Sequence, residues 1–232
     1  MPNCDPSLTD WLQAIGTIGA VIAAFIFYFW DRISNWWNRP ILDITINFRP
    51  PYCHRFRWIR ENAGRVVMQV HCYWFRMTVS NDGNVTARNV EVVVIQVRRK
   101  VGDGWEQVAE FLPSNLAWTH ISQQYMPLLL PRTRKEVELG RILDPAARLD
   151  FEGESIPGVN WSSALTLFHI ELTVNPVTGY NILRPGAYEL TLVVGAENCR
   201  PVTKSFILNL SGDWEVDEAQ MFRKGIEIRQ SN

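Results

Sequence analysis

From Trp11 to Trp30 the chain reads WLQAIGTIGAVIAAFIFYFW, twenty residues without a charge, bracketed by Asp10 and Asp31. A helix of that length rises about 30 Å, which matches the hydrocarbon core of a bilayer. A secretory signal has a basic start, a shorter apolar core and a small-residue cleavage site. Here the flank MPNCDPSLTD carries no Lys or Arg and the run ends in bulky aromatics, so a retained transmembrane helix is predicted. Trp11 at one border, and Tyr28, Trp30, Trp36 and Trp37 at the other, suit the two interfaces. Thr9 or Asp10 is the expected N-cap. Gly16, Ala20 and Ala24 recur every fourth residue, with Gly19 and Ala23 beside them. Such a face admits another helix closely, from a second copy or another subunit, although Gly and Ala are also simply common in membrane helices. Arg32 and Arg39 follow the span, and basic residues favour the cytoplasmic side. The rule places the N-terminus outside and everything after the helix in the cytoplasm, at a cell inner membrane.

The remaining residues are enough for one large domain with its own core. Leu42, Ile44, Ile46 and Phe48 alternate with Asp43, Thr45 and Asn47, the pattern of a half-buried strand. Pro50 and Pro51 break it, and residues 52–64 read as an irregular loop. Further strands are expected over Val66–Val79, Thr86–Val97, Trp105–Ala109, Lys135–Leu139, Ala164–Val174, Ala187–Ala196 and Val202–Leu210. Turns are expected at Ser80–Asn84, at Gly102-Asp103-Gly104, at Arg184-Pro185-Gly186 and at Asn198–Pro201. Trp118, Tyr125 and Leu128–Leu130 fall among prolines and read as a surface loop. Many short strands with no βαβ alternation predict two packed antiparallel sheets. The expected division is a short flank 1–10, the transmembrane helix 11–30, a juxtamembrane segment 31–40, an Ig-like sandwich 41–214, and a tail 215–232 with a short helix ended by Gly225.

The net charge of −1 gives no electrostatic reason to expect nucleic acid as a partner. One stretch nevertheless concentrates charge and rings: RPPYCHRFRWIRENAGR, from Arg49 to Arg65. Its candidate contact residues are Tyr52, Arg55, Phe56, Arg57, Trp58 and Arg60. Arginine interleaved with aromatics can stack on single-stranded nucleic acid, sit on anionic headgroups or anchor a protein interface. Interface anchoring is the reading that the composition favours. An acidic stretch around Glu215, Asp217 and Glu218 reads as a solvated helix without calcium-loop spacing.

The chain has no GxSxG, HExxH, phosphate-binding Gly-rich loop or CxxC pair, so no catalytic residue, cofactor site or metal site is assigned. His54, His71, His120 and His169 are scattered, and His169 within LTLFHIEL is expected to be a strand histidine. Cys4, Cys53, Cys72 and Cys199 are irregularly spaced and read as free thiols. The alternatives are a Cys53–Cys72 bridge, if the domain is extracytoplasmic, and a zinc ion shared by Cys53-His54 and His71-Cys72. Adjacent strand residues point to opposite faces, which counts against the zinc set.

FRMTVSNDGNVTARNVEVVV, Phe75 to Val94, resembles the V-x-N-x-G-x-x-x-A-x-N-V-x-V hairpin of bacterial and archaeal Ig-like modules, the cell-adhesion-related bacterial type among them. LRPGAYELTLVVGAENCRPVTKSFILNLSGDW, Leu183 to Trp214, is similar to the final hairpin of uncharacterised prokaryotic single-pass membrane proteins with the same layout. The resemblance implies an Ig-like sandwich in which Val79 and Ala87 face inward. It carries no activity, because such sandwiches host many roles. Adhesion modules stand outside the cell, opposite to the side the arginines favour, so both orientations stay open at this point.

The expected function is a non-catalytic accessory or scaffold subunit. Helix and sandwich would brace a larger bacterial membrane complex, with membrane lipids and other membrane protein subunits as partners, and a homo-oligomer through the small-residue helix face possible. The alternative is a membrane-tethered sensor or effector, of a stress or phage-defence type, that binds a ligand and oligomerises.

Overall fold

The computed structural model describes residues 8–37, 39–62, 65–119, 121, 123–148, 164–174, 176 and 178–231. It divides into two compact units, residues 1–39 and 40–232.

Among its described residues the first unit is a single helix, α1 (Leu8–Trp37). Within it Trp11–Trp30 is long and apolar enough to cross a membrane, and none of that segment is buried against protein. The helix starts before the expected caps, so Thr9 and Asp10 lie in its first turn. It also runs on past Asp31 to Trp37.

The second unit is an antiparallel sandwich of two sheets, as the alternating strands predict. One sheet has six strands: β1 (Leu42–Ile46), β2 (Cys53–Asn62), β3 (Arg65–Asn81), β8 (Thr133–Leu143), β9 (Phe168–Ile170) and β10 (Ile182–Leu183). Their order is β1-β3-β8-β9-β10, and β2 also pairs with β3. The other has seven: β4 (Ala87–Val101), β5 (Gly104–Gln107), β6 (Ser114–Asn115), β7 (Met126–Leu129), β11 (Gly186–Ala196), β12 (Cys199–Leu210) and β13 (Ile226–Gln230). Here the order is β13-β12-β11-β4-β5, with β6 and β7 also on β4. A short helix, α2 (Glu218–Gln220), capped by Asp217, continues into a π-helical turn, Met221–Gly225. Alternate residues of both sheets meet in one core: Tyr73, Phe75, Met77 and Val79 from β3, Val90, Val92 and Val94 from β4, and Leu190, Leu192 and Val194 from β11. Val79 and Ala87 are both inside, as the resemblance implies.

Several expectations give way. Residues 53–62, read as part of a loop, form β2, which pairs with β3 from Cys53↔Phe75 to Asn62↔Arg65. The proline pair hid a strand that resumes at Cys53; its arginines obscured the period-two pattern.

The Asp82–Thr86 turn joins β3 and β4, but these lie in different sheets, so it is a crossover between layers and not a hairpin. Its organiser is Asn81, fully buried, whose side-chain oxygen accepts from Ile41 N and Gly83 N. The Asn81 amide donates to the Val85 and Leu129 carbonyls. One side chain thus hydrogen-bonds four backbone groups of the crossover and its neighbours.

Trp118 is almost fully buried and bridges to Val137. Leu129 is buried on β7, so the segment read as a surface loop contributes to the core, with Tyr125, Leu128 and Leu130 exposed. The strand expected over Ala164–Val174 is limited to Phe168–Ile170. The β11–β12 turn is only Glu197-Asn198, so Cys199–Pro201 belong to β12. The tail ends in β13, which pairs with β12 from Ile226↔Leu210 to Gln230↔Phe206.

Candidate functional site

Strand parity decides which candidate residues meet. On β2, Cys53 faces the core while His54, Phe56 and Trp58 point to the outer face of the six-stranded sheet. Opposite them on β3, Trp74 and Cys72 share that outer face, since Tyr73 and Phe75 face inward. The result is a row of rings. His54 and Phe56 have centroids 5.8 Å apart, Phe56 and Trp74 5.6 Å, and Trp58 meets Trp74 edge-on at 5.5 Å. Val70, Cys72 and Leu143 form a second small core beneath them, distinct from the one between the sheets.

Arg141 joins the row from β8. The parity of Val137 and Leu139, both core residues, would turn residue 141 inward as well. A bulge intervenes: Phe75 pairs with Gly140 but Arg76 with Glu138, so one residue is skipped and Arg141 emerges beside Trp74 on the outer face. Gly140 permits this, because a Cβ there would lie 2.5 Å from the His169 carbonyl oxygen and 2.7 Å from the Phe168 ring. The Arg141 guanidinium lies 4.6 Å from the Trp58 ring centroid and 5.8 Å from that of Trp74, and it pairs with the Glu171 carboxylate. Only 5% of Arg141 is exposed. A cation this dry interacts with ring faces more strongly than one in water, about 2 kcal/mol for a favourable contact against up to about 1 when exposed. His169, adjacent on β9, is pushed down to about 3 by burial and then by the nearby Arg141 charge. It is therefore neutral at physiological pH.

The other candidate residues are placed apart. Tyr52 lies in the turn before β2, and its carbonyl accepts from Arg76 N. Arg55 and Arg57 have the opposite parity to Phe56 and Trp58. The Arg55 amide donates to Glu218 Oε2 at 2.8 Å, so the basic and acidic stretches meet inside the unit. Arg57 borders a cavity of about 200 Å³ with His71 and Asp144. The Arg60 side chain lies outside the described residues, as do those of Trp36 and Trp37. On α1, Trp11, Gly16, Gly19, Ala20, Ala24 and Trp30 are all exposed, and a Cβ added at Gly16 or Gly19 would meet nothing within 4 Å.

Cys53 and Cys72 lie on opposite faces of the sheet, which removes the bridge considered for them. Burial pushes the Cys53 thiol up to about 12, so it stays protonated. The same opposition parts Cys53 from His54 and Cys72 from His71, and among the described residues no group of three or more His, Cys, Asp or Glu side chains could hold a metal. Cys4 and His120 lie outside the described residues.

Trp74, Arg141 and Glu171 were not singled out from the sequence. Trp74 had a signal: in CYWFRM, aromatics occupy three consecutive positions, so one ring must lie on the non-core side of a strand. Arg141 had none, because its direction depends on the bulge.

The outer face thus consists of half-buried rings around a clamped, almost dry cation, and the ring nitrogens Trp74 Nε1 and His54 Nδ1 are buried with no hydrogen-bond partner among the described residues. No protein-family model matches the chain, and no curated protein matches it at a significant level.

Proposed function

We propose that this chain is a membrane-anchored, non-catalytic accessory subunit that braces a larger membrane assembly through its helix and its sandwich. The observation that carries the reading is the ring row Phe56–Trp74–Trp58 with Arg141 on the outer face of the six-stranded sheet. Half-buried aromatic side chains held rigidly against a buried arginine lose little entropy on binding, and aromatics are among the residues that dominate protein interfaces. The exposed small-residue face of α1, Gly16, Ala20 and Ala24, supplies a second contact, to a helix of another subunit or of another copy. The anchor belongs in a bacterial inner membrane with the N-terminus outside and the sandwich in the cytoplasm, on the strength of Arg32 and Arg39. The Ig-like resemblance supports the scaffold role in a general way only.

The test is extraction in a gentle detergent followed by mass spectrometry of co-migrating proteins. A stoichiometric partner is expected, and it should be lost from a Phe56→Ala, Trp58→Ala chain that still folds. A chain that migrates alone overturns the proposal. If it instead oligomerises when a small ligand is added, the sensor or effector reading replaces it.

A further inference from the structure

One end of the sandwich gathers around Asn81. Ile41, the Asp82–Thr86 crossover, the Leu130–Arg132 turn and the start of β4 all hydrogen-bond to Asn81 or to one another, and the Glu197-Asn198 turn closes onto Thr86 and Arg88. This end exposes three large aliphatic side chains, Ile41 (53%), Leu128 (55%) and Leu130 (53%). Around them stand the exposed arginines Arg88, Arg132, Arg134 and Arg200, against the carboxylates Asp82 and Glu197. Exposed aliphatics ringed by arginine suit the boundary between acyl chains and anionic headgroups, where the apolar tips enter and the guanidinium groups stay at phosphate level.

The covalent chain supplies the second argument. The span ends at Trp30 and the sandwich unit begins at Pro40, which immediately precedes Ile41. Residues 31–37 continue the helix and rise only about 10 Å, and the three steps from there to Pro40 add at most about 11 Å, so Pro40 cannot stray far from the bilayer surface. The arginine-rich β2–β3 hairpin is at the other end of β3. Trp58 pairs with Val70, and the eleven residues from there to Asn81 cover about 36 Å of strand. Of the two arginine-bearing regions, the Asn81 end is the one tied to the membrane.

We infer that the Asn81 end, through Ile41, Leu128, Leu130 and the arginines around them, is a docking surface for an anionic lipid bilayer. The inference rests on the membrane-spanning part of the proposal above and not on the accessory role.

The experiment uses the full chain reconstituted in bilayers of phosphatidylcholine with or without phosphatidylglycerol. An environment-sensitive fluorophore is placed at Leu130→Cys, or for comparison at Lys224→Cys on the exposed π-helical turn. Both are made in a Cys4→Ser, Cys199→Ser background that leaves the buried Cys53 and Cys72. With phosphatidylglycerol, the label at position 130 should shift its emission to the blue and be quenched severalfold by nitroxide-headgroup lipids, whereas the label at 224 should not. Arg88→Glu with Arg132→Glu, or high salt, should remove most of that quenching. Equal quenching at the two positions, or none at 130 in a chain that stays in the bilayer fraction, overturns the inference. So does quenching that ignores both phosphatidylglycerol and the charge reversals. A chain that leaves the bilayer fraction defeats the spanning helix itself and is recognised separately. Should the labelled variants fail to fold, hydrogen exchange of residues 128–134 in the unmodified chain decides: protection in the phosphatidylglycerol bilayer alone supports docking, and equal exchange in both overturns it.

Discussion

The two sheets share one core yet treat their outer faces in opposite ways. On the seven-stranded sheet, polar side chains find each other across neighbouring strands: Arg98 with Glu189, Gln96 with Gln107, Thr191 with Ser205, Asn209 with Glu227. Three of these pairs occupy facing positions on antiparallel strands, Gln96 and Gln107 meet diagonally because Gln107 lies opposite Arg98, and most of the side chains reach water. The six-stranded sheet instead carries rings, a small core of its own, and a cation that is almost dry. The first face is finished as a solvated surface. The second holds groups whose removal from water costs energy, and Arg141 relies on Glu171 and two indoles to offset that cost.

The largest test of that contrast is Arg141→Ala. It strips the partner from Glu171 and leaves a partly buried carboxylate, at a cost of about 3–5 kcal/mol. Chemical denaturation in mild detergent measures it, and a loss below about 1 kcal/mol, the level of a surface pair, would mean that this face is no drier than the other. Gly140→Ala asks the same question through the backbone. The new methyl would press on the His169 carbonyl, which cannot swing away, so β8 or β9 must shift and the bulge that aims Arg141 is disturbed. A loss of about 3 kcal/mol is expected, together with weaker recovery of the co-purified partner.

His169 adds a pH dependence confined to the six-stranded side. Its folded-state value is depressed to about 3, so below the ordinary histidine value of about 6.5 the unfolded chain takes up a proton that the folded chain refuses. Stability from this group is therefore complete above about pH 6.5 and falls as pH drops toward 3, by up to about 1.4 kcal/mol per pH unit. Between pH 6.5 and pH 5 the loss reaches about 2 kcal/mol. Glu138, whose carboxyl is raised by burial, runs in the opposite direction, because its folded form holds the proton longer. Subtracting the profile of His169→Gln cancels Glu138, which both chains share. If the two profiles coincide, His169 carries no such linkage.

Much of this fold could be read from residue patterns, for a physical reason. Hydrophobic alternation in ILDITINF and TARNVEVVVIQV reports burial of one strand face directly, and Gly102 takes a φ of +57° in the two-residue turn where a Gly-Asp-Gly was seen. Failures came where a non-local feature set the answer. β2 was obscured because its outward rings and inward Arg55 blur the alternation. Residue Arg141 was invisible because its direction follows from a bulge opposite Phe75, which local propensity does not encode. Trp118 looked like loop because prolines surround it, yet it is held by pairing with Val137, far along the chain. Half of the ring row was thus legible, namely Phe56 and Trp58; the half supplied by Trp74, Arg141 and Glu171 required the pairing of β3 with β8.

The smallest predicted effect sharpens the contrast most, because it uses the same chemistry. Arg98 and Arg141 are both arginines paired with a glutamate across antiparallel strands. They differ in the surroundings of the arginine: the Arg98 side chain is 37% exposed above a buried Glu189, whereas that of Arg141 is 6% exposed and sits against two indoles. Removing Glu189 leaves the half-exposed Arg98, whose charge water can solvate and salt can screen, so Glu189→Ala should cost no more than about 1 kcal/mol. Raising the salt concentration should shrink even that, while leaving the Arg141→Ala loss nearly unchanged, since the dry pair is beyond the reach of mobile ions. Denaturation curves for the two single variants at low and high salt give four numbers, and only one pattern fits the argument: a large, salt-insensitive loss on the six-stranded side and a small, salt-sensitive one on the other. Equal losses would show that pairing geometry, and not dryness, distinguishes the faces, and the case for the ring row as a contact surface would fall with it.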